Sequence, residues 1–278
     1  MQTYYNGKYL PKDEVKISPD DRGFLFGDGL YEVVRSYYGR LFQMEAHIER
    51  LNYGAQQICL HTTDFSYLTE VCQTLLEKNG LLDKDATVYI QVTRGVAPRL
   101  HTFPSPDTPE TVFASAQSFT PKTDQLKNGV KVLLIPDQRW ARTDIKSVNL
   151  LPNVIAQQRA VDHGAAEAVF VRDGAVTEGS HSSFFAVLDG TVITRPRSNY
   201  ILAGITRQVI LDLCHQLNLP FEEKSIFQEK VYDVDEAFIS GTTTEITPVV
   251  QIDERTIASG KPGPITKKLQ EAFGMLVE

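Results

Sequence analysis

The sequence is poor in cysteine, in long apolar runs and in blocks of like charge, and each shortage excludes a class of protein. Its three cysteines are an odd number without CxxC spacing, which argues against a disulfide framework and against a zinc site. No window approaches the roughly 18 apolar residues of a membrane span, and the N-terminus lacks a basic start followed by an apolar run. We therefore expect a cytoplasmic protein.

The charge pattern makes nucleic-acid binding and metal binding poor explanations of the chain. The net charge is -7 at pH 7, and no basic block provides a broad phosphate-binding surface. The six histidines show no HxH or HExxH spacing, so we assign no metal. A hydrophobic fraction of 42% over 278 residues instead indicates a folded protein of one large or two ordinary domains. A small acidic substrate would need locally placed cations.

The order of patterns predicts an α+β fold with two domains. Asn6-Gly7 predicts a tight hairpin, and further strands are expected at 30–38, 41–44, 87–94 and 111–119, with helices from 45 and over 66–78. The polar segment 120–128 is the predicted linker, because it combines a proline with polar residues before Asn128-Gly129. The expected domains are therefore residues 1–119, a smaller N-terminal α/β domain, and 129–278.

The second domain is expected to contain a mixed barrel-like sheet rather than a doubly wound one. Asp173-Gly174 and Asp189-Gly190 predict two hairpins close together, which implies a curved antiparallel sheet. Helices are predicted over 153–163, 206–218 and 264–275 from the spacing of apolar residues. Regular alternation of strand and helix is missing, which argues against the doubly wound arrangement.

Three features of this second half have the chemistry of a pyridoxal phosphate site. Lys146 follows two arginines and a tryptophan, so burial beside positive charge can supply the neutral amine that imine formation requires. Glu178, at the end of a predicted hairpin, offers a carboxylate that would keep a pyridine nitrogen protonated. Gly204-Ile205-Thr206 starts a predicted helix and offers backbone N–H groups to a phosphate. Each feature also has an ordinary explanation: a solvated lysine, a solvated carboxylate and a plain helix cap.

Two further segments suggest how anionic groups are held. Thr242-Thr243-Thr244 is either a phosphate-facing turn or a β-branched strand end. The loop Arg94 to His101 follows a predicted strand and places Arg99 and His101 two residues apart, so both side chains point to one side if the loop is extended. A guanidinium and an imidazole there suit a carboxylate, although a solvated loop is the competing interpretation.

Taken in order, the motifs resemble those of fold-type IV pyridoxal-phosphate-dependent aminotransferases. The resemblance covers nearly the whole chain, from about Tyr5 to Leu269, and is carried jointly by the segments 21–32, 47–51, 94–101, 144–147, 177–180 and 204–207. Within that family the Arg-Gly-x-x-Pro-Arg-x-His loop resembles the D-amino acid branch rather than the branched-chain L-amino acid branch.

The resemblance implies a role for each site residue and a homodimer. Lys146 would be the Schiff-base lysine and Glu178 the partner of the pyridine nitrogen, and Leu202 would pack against the cofactor ring. The phosphate would be held by four residues: Arg50, Ile205, Thr206 and Thr242. The substrate α-carboxylate would be bound by Tyr31, together with Arg99 and His101 of the neighbouring subunit. The two-domain fold implied is a smaller N-terminal α/β sandwich and a larger C-terminal pseudo-barrel.

The sequence departs from the family pattern at two places and leaves other activities open. Ser180-His181-Ser182-Ser183 stands where a serine run ending in asparagine is frequent, and Gly241 where serine is frequent. The implied reaction is a ping-pong transfer of the amino group from a D-amino acid to 2-oxoglutarate or pyruvate. An L-branched-chain aminotransferase, an aminodeoxychorismate lyase and a cofactor-carrying protein without turnover are the alternatives.

Overall fold

The computed structural model describes all 278 residues, which form two compact units. The first unit consists of Met1–Thr120 and Ile145–Asn149. The second consists of Pro121–Asp144 and Leu150–Glu278. The predicted linker, 120–128, contains a short helix, Thr123–Asn128, that belongs to the second unit. The domain division at 119 and 129 stays a prediction.

The first unit is a six-stranded antiparallel sheet with helices. Its strands are β1 Gln2–Tyr5, β2 Lys8–Pro11, β3 Gly29–Tyr37, β4 Arg40–Leu41, β5 Ala86–Thr93 and β6 Thr111–Ser118. Its helices are α1 Arg22–Phe26, α2 Met44–Gln57 and α3 Leu68–Lys78. The strands lie in the order β2-β1-β6-β5-β3-β4, so the long strand β3 pairs with β5 along its length.

Turn residues with positive φ set the hairpins of this sheet. Asn6 and Gly7 have φ of 45° and 84°, as the predicted type I′ turn requires. The second turn uses Tyr38 and Gly39, with φ of 48° and 85°, so β3 ends at Tyr37, one residue before the predicted end of the strand 30–38. The predicted strand over 41–44 is wrong beyond Leu41, because Gln43 adopts a left-handed conformation with φ of 54° and α2 begins at Met44.

The core of the first unit lies between the sheet and helices α2 and α3. Leu51 of α2 and Leu75 of α3 are buried with Val34 of β3 and Val88 of β5 in one apolar cluster. Each such side chain contributes about 1.5–3 kcal/mol when it is removed from water. Ile145 belongs to the second segment of this unit, Ile145–Asn149, and is buried in the same cluster.

The second unit is built on a ten-stranded mixed sheet. Its strands are β7 Val130–Pro136, β8 Glu167–Arg172, β9 Ala175–Gly179, β10 Ser183–Leu188, β11 Thr191–Thr194, β12 Phe221–Glu223, β13 Ile226–Phe227, β14 Glu236–Gly241, β15 Glu245–Ile252 and β16 Arg255–Thr256. Its helices are α4 Thr123–Asn128, α5 Leu151–Asp162, α6 Ile205–Gln216 and α7 Pro264–Val277. The main path through the sheet is β12-β11-β10-β14-β15-β7-β8-β9-β13, and β16 pairs with β15.

Both Asp-Gly hairpins of this sheet are present. The central residues of β8–β9, Asp173 and Gly174, have φ of 53° and 74°, and Asp189 and Gly190 of β10–β11 have 49° and 75°. Parallel pairing of β7 with β8 and with β15 is interleaved with antiparallel hairpins, so the mixed sheet and the α+β class are confirmed. None of the seven α-helices has the length and apolarity that a bilayer crossing needs.

Candidate active site

The segment that carries Lys146 runs alongside β3 and is fixed to it by backbone hydrogen bonds. The Tyr31 N–H donates to the Lys146 carbonyl at 3.0 Å, and the Val148 N–H donates to the Gly29 carbonyl at 3.0 Å. Leu30 and Ser147 form an antiparallel bridge. The lysine backbone is therefore held as an added edge of the first unit's sheet.

The side chains of Lys146 and Tyr31, both predicted site residues, are brought together by this pairing. The Lys146 Nζ lies 4.2 Å from the centroid of the Tyr31 ring. The Tyr31 ring in turn stacks on Tyr89 of β5 at 6.0 Å. A partly buried amine over an aromatic face keeps a restricted direction, which a group acting at one atom of a bound molecule requires.

A carboxylate on the buried face of β3 holds Arg50. Glu32 lies on the same face of the strand as Leu30 and Val34, and its side chain is only 1% exposed. Arg50 donates from Nε to Glu32 Oε1 and from Nη2 to Glu32 Oε2, both at 2.8 Å. His47, one turn earlier on the same face of α2, lies with Nδ1 2.7 Å from Glu32 Oε2. Arg50, which is predicted to bind the phosphate, thus has its guanidinium oriented by Glu32 of the same unit.

The ionisation of this cluster follows from its geometry. Burial raises the pKa of Glu32, but the charge and hydrogen bonds of Arg50, with the hydrogen bond from His47, outweigh burial and leave that pKa well below its usual value. Burial lowers the pKa of His47, and the nearby charges of Arg50 and Lys146 lower it further against the opposing effect of Glu32. The cluster is therefore an ionised Glu32–Arg50 pair with a neutral histidine.

Arg99 and His101 lie on an exposed loop of the first unit, and both side chains contact the ring of Phe26. The Arg99 guanidinium carbon is 5.2 Å from the centroid of Phe26, and the His101 ring centroid is 5.6 Å from it. Both side chains are exposed in the single chain. The predicted guanidinium and imidazole are therefore presented together, as binding of a carboxylate requires.

In the second unit, Glu178 lies on β9 and is bound by an arginine that is itself shared. Glu178 Oε1 accepts from Arg139 Nη1 at 2.6 Å, and Glu178 Oε2 accepts from the Leu202 N–H at 2.9 Å. Arg139 also donates from Nε and Nη2 to Asp137, both at 2.9 Å. Its guanidinium carbon lies 4.2 Å from the centroid of the Phe170 ring. Glu178 thus shares one cation with a second carboxylate.

The electrostatic state of Glu178 reflects this sharing. Burial raises the pKa of the Glu178 carboxyl above its usual value, and the negative charge of Asp137 adds to the rise. The charge and hydrogen bond of Arg139 and the Leu202 N–H oppose these effects without cancelling them. A further cation against Glu178, such as a protonated ring nitrogen, would be favoured.

The second unit contains the two predicted phosphate-binding elements, which are the start of helix α6 and the turn that contains Thr242. Helix α6 begins at Ile205 after Gly204, and no side chain caps its first N–H groups. A Cβ at Gly204 would lie 2.6 Å from the Ser183 Oγ, so the helix start and β10 approach closely only because this residue is glycine. The turn containing Thr242 connects β14 with β15, and in it the buried Thr244 Oγ1 has no hydrogen-bond partner.

These residues fit a phosphorylated pyridine aldehyde by the chemistry of their donors. Uncapped amide groups at Ile205 and Thr206 suit a phosphate, and the incompletely compensated Glu178 suits a pyridinium nitrogen. Lys146 supplies a primary amine, and Arg50 supplies an oriented guanidinium.

Several residues around these groups have orienting roles that the sequence patterns did not predict, although Phe26 and Glu32 lie in the segment 21–32 and Arg139 is one of the two arginines before Lys146. Glu32, Arg139 and Phe26 each orient a predicted site residue, but no short motif connects them to their partners. One signal was available for Glu32: an acidic residue in register with Leu30 and Val34 faces a helix that carries His47 and Arg50 three residues apart.

The chain belongs to the class IV aminotransferase family, whose model matches residues 29–252. The mixed α/β architecture of the chain agrees with this assignment, and the fold-type IV class is confirmed. The chain is 42% identical to D-alanine aminotransferase from Staphylococcus haemolyticus, over 100% of this chain and 98% of that protein. It is 40% identical to D-alanine aminotransferase from Bacillus licheniformis, over 98% and 96% respectively.

Solved structures of the family share the fold at lower identity. The branched-chain amino acid aminotransferase of Escherichia coli superposes with a TM-score of 0.92 at 26% identity, over 99% of this chain and 94% of that one. The branched-chain aminotransferase of Thermoproteus uzoniensis superposes with a TM-score of 0.88 at 27% identity, over 100% and 94%.

Proposed function

We propose that the protein is a pyridoxal-phosphate-dependent D-amino acid aminotransferase. It transfers the amino group of D-alanine and other D-amino acids to 2-oxoglutarate or pyruvate, for example converting D-alanine and 2-oxoglutarate into pyruvate and D-glutamate. The observation that carries this proposal is the presentation of Arg99 and His101 on the Phe26 ring in a chain 42% identical to D-alanine aminotransferase from Staphylococcus haemolyticus.

The cofactor is assigned to residues whose donors match its parts. When bound, pyridoxal phosphate supplies an aldehyde that takes up the amino group and a ring that accepts electron density from the substrate Cα. Lys146 would be the residue that bonds it, Glu178 would hold the ring nitrogen and Leu202 would pack against the ring. Arg50, Thr242 and the amides of Ile205 and Thr206 would hold the phosphate.

The remaining residues bind the substrate and move its proton. The Lys146 Nζ accepts the Cα proton, and its direction over the Tyr31 ring restricts which face of the substrate it reaches. Tyr31, Arg99 and His101 bind the α-carboxylate, which fixes the Cα–H bond that points toward the amine. Exchanging the carboxylate and side-chain positions would favour L-substrates.

The functional unit in this proposal is a homodimer located in the cytoplasm. Arg99 and His101 are exposed in the single chain, and they would serve the active site of the neighbouring subunit. The protein would then need no nucleic acid or membrane partner. Mixed dimers made from a Lys146→Ala chain and an Arg99→Lys chain test this arrangement, because one of their two sites keeps both native residues.

One activity panel tests the reaction and its handedness together. Purified protein loaded with pyridoxal phosphate is assayed with paired D- and L-amino acids against 2-oxoglutarate and pyruvate. We expect D-alanine to D-glutamate transfer, detected by chiral analysis of the products. Exclusive turnover of L-amino acids, or pyruvate release from aminodeoxychorismate without an amino acceptor, would contradict the proposal.

The role of Arg99 is tested by an exchange that keeps its charge. Arg99→Lys should lower kcat/KM for D-alanine about tenfold or more, because one ammonium cannot make the planar two-point contact of a guanidinium. Arg40→Lys is the matched control on the exposed β3–β4 hairpin. Unchanged kcat/KM in Arg99→Lys would remove Arg99 from its role.

The second candidate function is an L-branched-chain aminotransferase. It is favoured by the solved structures, since those that superpose with TM-scores of 0.92 and 0.88 are branched-chain aminotransferases. The loop sequence Arg94 to His101 and the identity of 42% to a D-alanine aminotransferase favour the D-specific enzyme.

A further inference from the structure

The loop that carries Arg99 and His101 is supported by buried charges and one aromatic ring. We propose that Phe26 and Arg22 are positioning residues that set the affinity for the substrate α-carboxylate. This inference rests on the proposed function, because it takes Arg99 and His101 as the carboxylate-binding pair.

Arg22 fixes the backbone on both sides of His101. It is the first residue of α1 and is 4% exposed. Its Nη1 donates to the Leu100 carbonyl at 2.7 Å and lies 3.4 Å from the Thr102 carbonyl. One guanidinium nitrogen therefore contacts the carbonyls of the residues before and after the histidine, which limits rotation of the loop about His101.

Arg22 is itself held by a carboxylate that connects the loop to the core. Asp28 Oδ2 accepts from Arg22 Nε and from Arg94 Nε, both at 2.8 Å, and Asp28 Oδ1 accepts from Arg94 Nη2 at 3.0 Å. Arg94 donates in addition to the carbonyls of Ile58 and Cys59, which follow α2. This network of two buried arginines and a partly buried aspartate thus extends from the end of α2 to the loop.

Phe26 orients the two side chains that leave this loop. Arg22 and Arg99 place their guanidinium carbons 4.7 and 5.2 Å from the ring centroid, and the His101 ring lies at 5.6 Å. A guanidinium that stacks on a ring keeps its N–H donors directed to its edge. The ring therefore restrains Arg99 and His101 without using the donors that a carboxylate needs.

Restraint before binding has a predictable kinetic signature. Side chains that are already ordered lose less conformational freedom when a ligand binds, so the ligand binds more tightly. The effect applies equally to every substrate that shares the α-carboxylate, whatever its side chain. Loss of Phe26 should therefore raise KM for amino acids and oxo acids by a common factor and leave kcat and acceptor preference unchanged.

The test compares two phenylalanines of the same short helix in the cofactor-loaded enzyme. Phe26→Leu should raise KM for D-alanine, D-glutamate, pyruvate and 2-oxoglutarate about fivefold each. Phe24→Leu is the matched control, because Phe24 is 77% exposed on α1 and its replacement keeps an apolar surface. Phe26→Tyr keeps the aromatic face and should restore KM to within about twofold of the wild type.

A double-mutant cycle shows whether Phe26 acts through Arg99. In the Arg99→Lys background, Phe26→Leu should change KM by less than about twofold, since the residue that it orients is already altered. Arg22→Lys, which keeps the charge but loses the fork, should raise KM in the same way and serves as the second variant if Phe26→Leu does not fold.

Three results would overturn the inference. They are an unchanged KM in Phe26→Leu, the same KM increase in both backgrounds, and a loss confined to kcat and thermal stability. Failure of the proposed function is distinguishable, because it appears in the wild-type enzyme as exclusive turnover of L-amino acids, whereas an unchanged kcat/KM in Arg99→Lys removes only Arg99 from its role.

Discussion

Two buried carboxylates, one in each unit, are bound by arginines but differ in how completely their charge is balanced. Glu32 receives two hydrogen bonds from Arg50 and faces His47, and its pKa lies below the usual value. Glu178 receives one hydrogen bond from Arg139, which it shares with another carboxylate, and its pKa lies above the usual value. The first is a closed ion pair, whereas the second has capacity for one more cation.

The difference separates a residue that supports the fold from one that is prepared for a ligand. A closed buried pair is costly to break, because removal of one partner leaves the other charge buried and unpaired. An incompletely balanced carboxylate instead gains when a cation binds. The comparison therefore predicts that chemistry depends on Glu178 and stability depends on Glu32.

The largest expected effect is on turnover in Glu178→Gln. The amide removes the negative charge against the ring nitrogen, and we expect kcat to fall about a hundredfold, as when a preorganised electrostatic contact is lost. The urea midpoint of the cofactor-free protein should stay the same or rise, since Arg139 keeps its pairing with Asp137. A large loss of stability with kcat intact would reverse the comparison.

Glu32→Gln should show the opposite balance. It leaves the Arg50 guanidinium buried beside an amide, and we expect the free energy of unfolding to fall by about 3–5 kcal/mol, measured by urea denaturation without cofactor. Turnover at saturating cofactor should fall much less than in Glu178→Gln. Equal free energies of unfolding in the two variants would mean that the charge of Glu32 is balanced no more completely than the charge of Glu178.

The pH dependence of stability sharpens the comparison. His47 has a lowered pKa in the folded state and one near 6.5 when unfolded, so the unfolded chain binds the extra proton first and stability falls as the pH drops below about 6.5. Glu32 stabilises fully above about 4.5, and that contribution is lost as the pH falls through its lowered folded pKa. For Glu178 the sign reverses, because its raised pKa makes the charged form costly above about 4.5.

Thermal melting between pH 7 and pH 5 measures these contributions. His47→Gln keeps a donor for Glu32 but cannot titrate, so its melting temperature should fall less over this range than that of the wild type. The Glu178→Gln variant is the control, because it removes the contribution of Glu178, which increases stability as the pH falls. A melting temperature that falls from pH 7 to pH 5 as much in His47→Gln as in the wild type would contradict the direction assigned to His47.

The smallest effect is expected at the helix start of the second unit. Gly204→Ala places a Cβ 2.6 Å from the Ser183 Oγ, so the hydroxyl must move, and we expect cofactor affinity to weaken by less than about tenfold. Ser183→Ala in the same background removes the close contact and should restore affinity, measured by cofactor titration. No recovery in the double variant would show that the close approach is not the cause.

The sequence predicted the local structure better than the charge network. Asn6-Gly7, Asp173-Gly174 and Asp189-Gly190 specify their hairpins because φ above zero is needed at those residues and few residue types tolerate it. The strand predicted over 41–44 ended early because Gln43, which gives no such signal, also adopts positive φ.

The hydrogen-bond partners of the site residues could not be predicted from local sequence patterns. Arg139 and Glu178 are 39 positions apart, and Arg22 reaches a carbonyl 78 positions away. Pairs of this kind depend on sheet register and loop path, which leave no local periodicity. The roles of Lys146 and Glu178 were predicted from their chemistry and from the resemblance to the family, and they stay predictions.

The lysine segment 145–149 also has a topological consequence. It pairs with β3 although 24 residues of the second unit's chain, Pro121–Asp144, come before it. A protein divided at any one peptide bond therefore cannot yield both halves intact, because the amino-terminal fragment either lacks its edge segment or carries part of the other unit. Exchange of one unit without the other would require three breakpoints in the gene, at 120/121, 144/145 and 149/150.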